Sequence, residues 1–101
     1  MTSDLELVRL CAERMGIKFR LRDEPGEPPM LFADYGSHDE IYDPLTDDAQ
    51  CMALVKHFGI DLLCESRVGG DREWIAAHHI SGAFADKDAN RAVCMCVAGM
   101  E

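Results

Sequence analysis

The hairpin "IDLLCESRVGGDREWIAAHHI", residues 60–80, decides which fold class the sequence predicts. The motif GGD at residues 69–71 is a turn signal between two runs that read as strands. A three-residue loop at 69–71 sets Arg67 opposite Glu73, whereas a two-residue loop at 69–70 sets two arginines opposite each other. Because directly opposed like charges are unfavourable, we predict the three-residue loop. One face of the hairpin then carries Ile60, Leu62, Cys64, Trp74, Ala76 and Ile80, and the other carries Leu63, Ile75 and Ala77.

Helices and a second hairpin are predicted for the rest of the chain. Residues 4–15, about 47–57 and the closing stretch DKDANRAVCMCVAGME read as helices, since their apolar residues recur at helical spacing. The caps that we predict are Ser3, Thr46, and either Asp86 or Asp88. Residues 17–23 alternate between apolar and basic side chains and predict a strand, which a proline-rich loop joins to a second strand at 30–35.

These elements predict an α+β fold with the order α-β-β-α-β-β-α. A hairpin with apolar groups on both faces is explained by a sheet that is covered on both sides. We therefore expect a small α/β/α sandwich, in which an antiparallel sheet of about four strands has helices on both faces. A chain of 101 residues fits one domain, so residues 1–101 are taken as a single unit.

Composition and charge limit where the protein acts and what it binds. The net charge is −9, so the average field repels duplex nucleic acid. No apolar run approaches the ~20 residues of a membrane span, and the acidic start lacks the basic region of a secretory signal. The five cysteines are an odd number, which in a reducing compartment indicates free thiols. We expect a cytoplasmic protein that binds no membrane.

The second half of the chain resembles a bacteriophage family. The stretch YDPLTDDAQCMALVKHFGI, the lone tryptophan in the next hairpin and the closing NRAVCMCVAGME are similar to the phage NinX-like proteins, also described as a phage ABA-sandwich domain. The resemblance covers about residues 41–101, and Asp43 stands where many relatives have Asn. It implies a small accessory protein of a phage or prophage, without an established enzymatic role, that acts in the host cell. The matching residues are Tyr42, Asp43, Pro44, Leu45, Trp74, Asn90, Arg91 and Ala92.

Aromatic residues near acidic groups are the first candidate ligand-binding residues. Tyr42 and Asp43 offer a ring for stacking and a carboxylate for hydrogen bonding at the start of the middle helix. The alternative is a proline-stiffened turn that leads into a capped helix, because turns and caps use the same residue types. Trp74 is either a core residue or a stacking platform for a nucleobase.

Cations are the second set of candidates. Lys18, Arg20 and Arg22 alternate along one strand and so share one face, where they could bind a phosphate or another small anion. The alternative is a solvated strand face whose cations pair with nearby acids. Arg91, in the closing helix, is the remaining candidate cation.

Catalysis and metal binding find little support in the sequence. Adjacent strand residues point to opposite faces, so His78 and His79 cannot together chelate one metal ion. No nucleophile-elbow, P-loop or zinc-protease motif is present. We therefore predict no enzyme, no metal site and no cofactor, and a small hydrolase is the least favoured function.

The predicted function is binding without catalysis. We expect a homo-oligomer that binds a host protein in the cytoplasm. The alternative is that the protein sequesters a small nucleotide-like ligand, such as a host immune signal, between an aromatic ring (Tyr42 or Trp74) and a cation (Arg20, Arg22 or Arg91).

Overall fold

The computed structural model of the chain describes residues 3–66 and 69–100. Each of the first two helices is followed by three strands, and a third helix ends the described chain. The α+β class is therefore confirmed. The elements are α1 (Asp4–Met15), β1 (Phe19–Arg22), β2 (Met30–Asp34), β3 (Asp39–Ile41), α2 (Asp48–Phe58), β4 (Asp61–Ser66), β5 (Arg72–His78), β6 (Gly82–Asp86) and α3 (Ala89–Ala98).

The strands form two separate antiparallel sheets, in the orders β1-β2-β3 and β4-β5-β6. The predicted single sheet of about four strands, with helices on both faces, is wrong. Two strands were missed: β3 lies in a polar stretch that reads as a loop, and β6 follows the second hairpin as the short run GAFAD. With a third strand on each hairpin, each sheet turns one face to the helices and leaves the other toward solvent.

The helices begin and end near the predicted residues. The Ser3 side chain accepts from the Glu6 N–H at 3.2 Å, and α1 ends at Gly16, whose φ of 71° suits a residue without Cβ. The predicted Thr46 cap of α2 is wrong by one residue: Asp47 is the cap and accepts from the Gln50 N–H at 3.0 Å. Of the two acids proposed for α3, Asp88 is the cap.

The register of the β4–β5 hairpin differs from the predicted one by two residues. Glu73 pairs with Glu65, whereas the sequence placed Arg67 opposite Glu73. Arg67 itself lies outside the described residues. Because a shift of two residues preserves the alternation of faces, the predicted faces hold for the residues within the two strands. The prediction is wrong for Ile80, which follows the end of β5 in a turn and is 66% exposed. Leu62, Trp74 and Phe84 pack against the core.

Helix α3 lies at the centre of the core. It contacts α1 and α2 on its sides and packs on β5 and β6, while α1 also contacts β2. At its end Gly99 lies so close to β6 that a Cβ on it would stand 2.9 Å from Phe84 Cζ. Five residues of α3 are buried: Ala92, Val93, Cys94, Cys96 and Val97.

Candidate functional site

Tyr42 is a core residue. Its side chain is 3% exposed, and its N–H donates to the Leu31 carbonyl at 2.8 Å. The phenolic hydroxyl is buried and has no hydrogen-bond partner among the described residues. Burial, together with the nearby thiols of Cys11, Cys94 and Cys51, raises the pKa of Tyr42 above its ordinary value. A ring in this position offers no surface on which a ligand could stack.

Asp43 closes the turn that leads into α2. Its carboxylate accepts from the Thr46 hydroxyl at 2.8 Å and from the Leu45 N–H at 3.3 Å. Each contact uses a different carboxylate oxygen as acceptor, and an asparagine, which has one acceptor oxygen, could not accept both in this way. The turn is thus the structural alternative that the sequence left open.

Gln50 is the residue of this turn that the sequence reasoning missed. Its side-chain amide donates to the Ile41 carbonyl at 2.9 Å, and its carbonyl oxygen accepts from the Asp43 N–H at 2.6 Å. The signal was present, since Gln50 is three residues after the Asp47 cap, where a capping box has Glu or Gln. Here the side chain reaches further back than the cap and ties the turn to the helix.

Trp74 and Arg91 serve the packing of α3. Trp74 lies half-buried on the inner face of its sheet, where it packs against the core. Arg91 forms ion pairs with Asp4, at the start of α1, and with Asp86, at 3.9 Å. The hydrogen bond to Asp4 raises the pKa of Arg91, so the guanidinium stays charged. An incoming anion at Arg91 would have to compete with two carboxylates.

Arg20 and Arg22 flank an aromatic ring that is not one of the predicted ones. Their guanidinium carbons lie 5.9 Å and 6.0 Å from the centre of the Phe32 ring, beside an open groove of about 430 Å³. Phe32 pairs with Arg20 in the β1–β2 ladder. Predicting the register of this hairpin would therefore have identified Phe32 as the aromatic neighbour of the two arginines. Both cations have carboxylate partners: Arg20 pairs with Asp39, and Arg22 lies 3.2 Å from Glu24 and 3.5 Å from Glu27.

The six predicted ligand residues therefore do not line one site. Two of them, Arg20 and Arg22, share a groove, and Arg91 lines a different groove, between α1, β6 and α3. Tyr42 and Asp43 line a third one, near the start of α1. Trp74 is half-buried and packs against the core.

The cysteines behave as small apolar side chains. Four of the five are buried, and Cys64 is exposed. Burial raises the pKa of Cys51 to about 12, and contact with Cys11 together with burial raises the pKa of Cys94. Since the thiolate is the reactive form, thiols with such pKa values are poor nucleophiles.

Histidines and acids do not assemble into a metal site in the described part of the chain. Within residues 3–66 and 69–100, no three His, Cys, Asp or Glu side chains could together hold a metal ion. The prediction that His78 and His79 point to opposite faces is wrong, because β5 ends at His78 and the two ring centres lie 4.3 Å apart. None of the helices in these residues has both the length and the apolarity to cross a bilayer.

An exposed apolar surface lies on the second sheet. It is the side of β4-β5-β6 turned away from the helices, and we call it the outer sheet face. Leu63, midway along the edge strand β4, is 60% exposed. Asp61, Glu65 and Lys87, all exposed, lie around it. Its apolar residues, which are exposed or half-buried, are Leu63, Ile75, Ala77, Ala83 and Ala85.

The comparisons with known proteins give no relative for the chain. No family model matches it, and no curated protein or solved structure matches it either. The resemblance to the phage NinX-like proteins therefore stays a prediction that rests on the residues quoted for it.

Proposed function

We propose that the protein acts by binding another protein through the outer sheet face, without catalysing a reaction. The observation that supports this proposal is the apolar row Leu63–Ile75–Ala85, whose three residues pair across the sheet and of which Leu63 and Ala85 are exposed and Ile75 is half-buried. The resemblance to phage accessory proteins suggests the place, which is the cytoplasm of a bacterial host, and the kind of partner, which is a host protein or a second copy of the chain.

An apolar row on an outer face is unusual for a sheet that remains exposed. Antiparallel sheets with one solvated face normally alternate apolar residues inside with polar residues outside. Fully burying one leucine is worth about 1.5–3 kcal/mol, so Leu63 alone represents a substantial gain for a partner that covers it. The alanines of this face leave the sheet flat enough for close approach.

A photo-crosslinking amino acid can test this proposal without a known partner. We would place it at Leu63 and, as a matched control, at Met52, an exposed residue of α2 that is 47% accessible. We expect protein adducts in bacterial cells from position 63 and few from position 52. If position 63 yields no adduct while the protein is folded, the proposal is refuted.

The groove at Phe32 supports a second candidate function, which is binding of a small nucleotide-like ligand. Two guanidiniums beside one aromatic ring can in principle hold a phosphate and a base. The carboxylates that already pair with Arg20 and Arg22 oppose this function, because a ligand phosphate must displace them. We therefore rank it second.

Thermal shifts with a panel of mono-, di- and cyclic nucleotides test the second candidate. A ligand at 100 times its Kd should stabilise the protein by ~2.7 kcal/mol. Phe32→Ala should abolish the shift, whereas Arg9→Ala, which removes an exposed cation of α1 with similar acidic neighbours, should leave it unchanged. The absence of a shift across the panel would eliminate this function.

A further inference from the structure

We infer that the occupant of the outer sheet face is a second copy of the same chain, related by a two-fold axis that runs parallel to β5. This inference rests on the proposed function in one respect, namely that the outer sheet face binds protein. It adds the identity of the partner and the relative orientation of the two copies.

The ladder registers divide the outer sheet face into three rows across the strands. The first row is Asp61–Ala77–Ala83, and the second is Leu63–Ile75–Ala85. The third begins with Glu65 and Glu73. Lys87 directly follows Asp86, the last paired residue of β6, and extending the ladder by one residue would place it opposite Glu73, at the end of this third row.

A two-fold axis along β5 places β4 of one copy over β6 of the other, and each row of one copy lies over the same row of the other. Leu63 of the first copy then lies over Ala85 of the second, and Ala85 of the first copy lies under Leu63 of the second. Ile75 meets its counterpart at the axis. Large side chains therefore face small ones, which is the arrangement that lets two sheets pack at ~10 Å. An isologous contact of this kind closes on itself as a dimer.

The charges favour this axis over the other face-to-face choice. With the two-fold axis along β5, Glu65 of each copy faces Lys87 of the other, and the two Glu73 side chains meet between these pairs. An axis across the strands instead sets Asp61 of each copy over Glu65 of the other, which makes two pairs of like charge. Since directly opposed like charges are destabilising, the first arrangement has the better electrostatic balance.

The size of the face predicts that the dimer is weak. Three strands about 4.8 Å apart and about 20 Å long present roughly 300 Å² per copy. That is below the ~800 Å² per partner of a standard stable interface. We therefore expect a Kd between about 1 µM and about 1 mM, so that the dimer forms as the concentration rises.

Sedimentation equilibrium over a concentration series tests the dimer. We expect the average mass to rise from that of a monomer toward that of a dimer. Leu63→Asp and Ala85→Arg should each abolish the rise up to about 1 mM, and Met52→Asp should leave it unchanged. Circular dichroism checks that each variant is folded. A wild-type protein that stays monomeric, or a dimer that Leu63→Asp leaves intact, overturns the inference.

Charge reversal tests the axis. Glu65→Lys and Lys87→Glu should each weaken the dimer about tenfold, because both copies of the ion pair become repulsive. The double variant Glu65→Lys/Lys87→Glu should restore the wild-type Kd. If Glu65→Lys instead tightens the dimer, Asp61 is its partner, and the proposed axis is wrong.

Failure of this inference can be told apart from failure of the proposed function. A monomeric protein that crosslinks from position 63 to a different protein keeps the proposed function and removes the second copy as the partner. A monomeric, folded protein that yields no crosslink from position 63 removes both.

Discussion

Replacing Tyr42 by Phe should make the protein more stable, although the substitution lies in the middle of the core. The Tyr42 hydroxyl is buried without a hydrogen-bond partner among the described residues, so folding removes it from water without compensation. Such a group costs about 1–3 kcal/mol. The ring itself stays in place in Phe, and its packing is retained. We expect the free energy of unfolding to rise by about 1–2 kcal/mol.

Urea unfolding followed by the fluorescence of Trp74, the one tryptophan of the chain, measures this change. With a slope of about 2 kcal/mol per molar urea, the midpoint should rise by roughly 0.5–1 M. Tyr35→Phe is the matched control, because Tyr35 is 47% exposed and its hydroxyl can reach water. A loss of stability in Tyr42→Phe would refute the reasoning, since it would show that the hydroxyl has a partner such as a buried water molecule.

Three further predictions concern the burial of single side chains. Trp74→Ala should lower the free energy of unfolding by about 3 kcal/mol, because the indole packs against the core, and urea unfolding followed by circular dichroism will show it. Iodoacetamide should label Cys64 alone in the folded protein, as mass spectrometry can verify, and Cys64→Ser should abolish the fast labelling. Stability should fall as the pH rises from about 9 toward about 12, because the pKa of Cys51 is raised in the folded state and the unfolded state releases its proton first. Cys51→Ala should therefore make urea midpoints less dependent on pH between about 8 and 10.5, and an unchanged slope would contradict this assignment.

Local signals in the sequence predicted the helices well. Each helix has an apolar stripe, an acceptor side chain before its first turn and a glycine at its end, and all three features act over a few residues. The error at Thr46 is of the same local kind, because Asp47 follows it directly and is an equally good cap. Boundaries that depend on such neighbours differ by a residue without changing the fold.

The number and arrangement of strands were harder to predict. Strand β3 has three exposed residues, Asp39, Glu40 and Ile41, so no alternation of buried and exposed side chains marks it as a strand. It forms because β2 offers an unpaired edge. Apolar groups on both faces of the second hairpin suggested helices on both sides. In the structure the apolar residues on the outer side of this hairpin stay exposed or half-buried. Burial within one chain therefore does not explain why they are apolar.

The candidate site shows the same division between local and long-range information. Tyr42, Asp43 and Trp74 have residue types that suit either a ligand or a core. What decides between these alternatives is the packing of the helices, because thiols of α1, α2 and α3 lie near Tyr42 and α3 packs on β5, the strand that carries Trp74. Phe32 could be identified as a candidate residue only from the β1–β2 register, which places it opposite Arg20.

The central position of α3 has a consequence for how the protein is made. Helix α3 is the last described element in chain order, yet α1, α2 and the second sheet all pack on it. During synthesis, the earlier elements emerge from the ribosome before the helix that joins them, and their apolar faces stay open until it follows. Folding must then bring together residues such as Cys11 and Cys94, which are 83 positions apart. Because contacts between distant residues slow folding, a chain stopped before Ala89 should remain a target for chaperones and proteases.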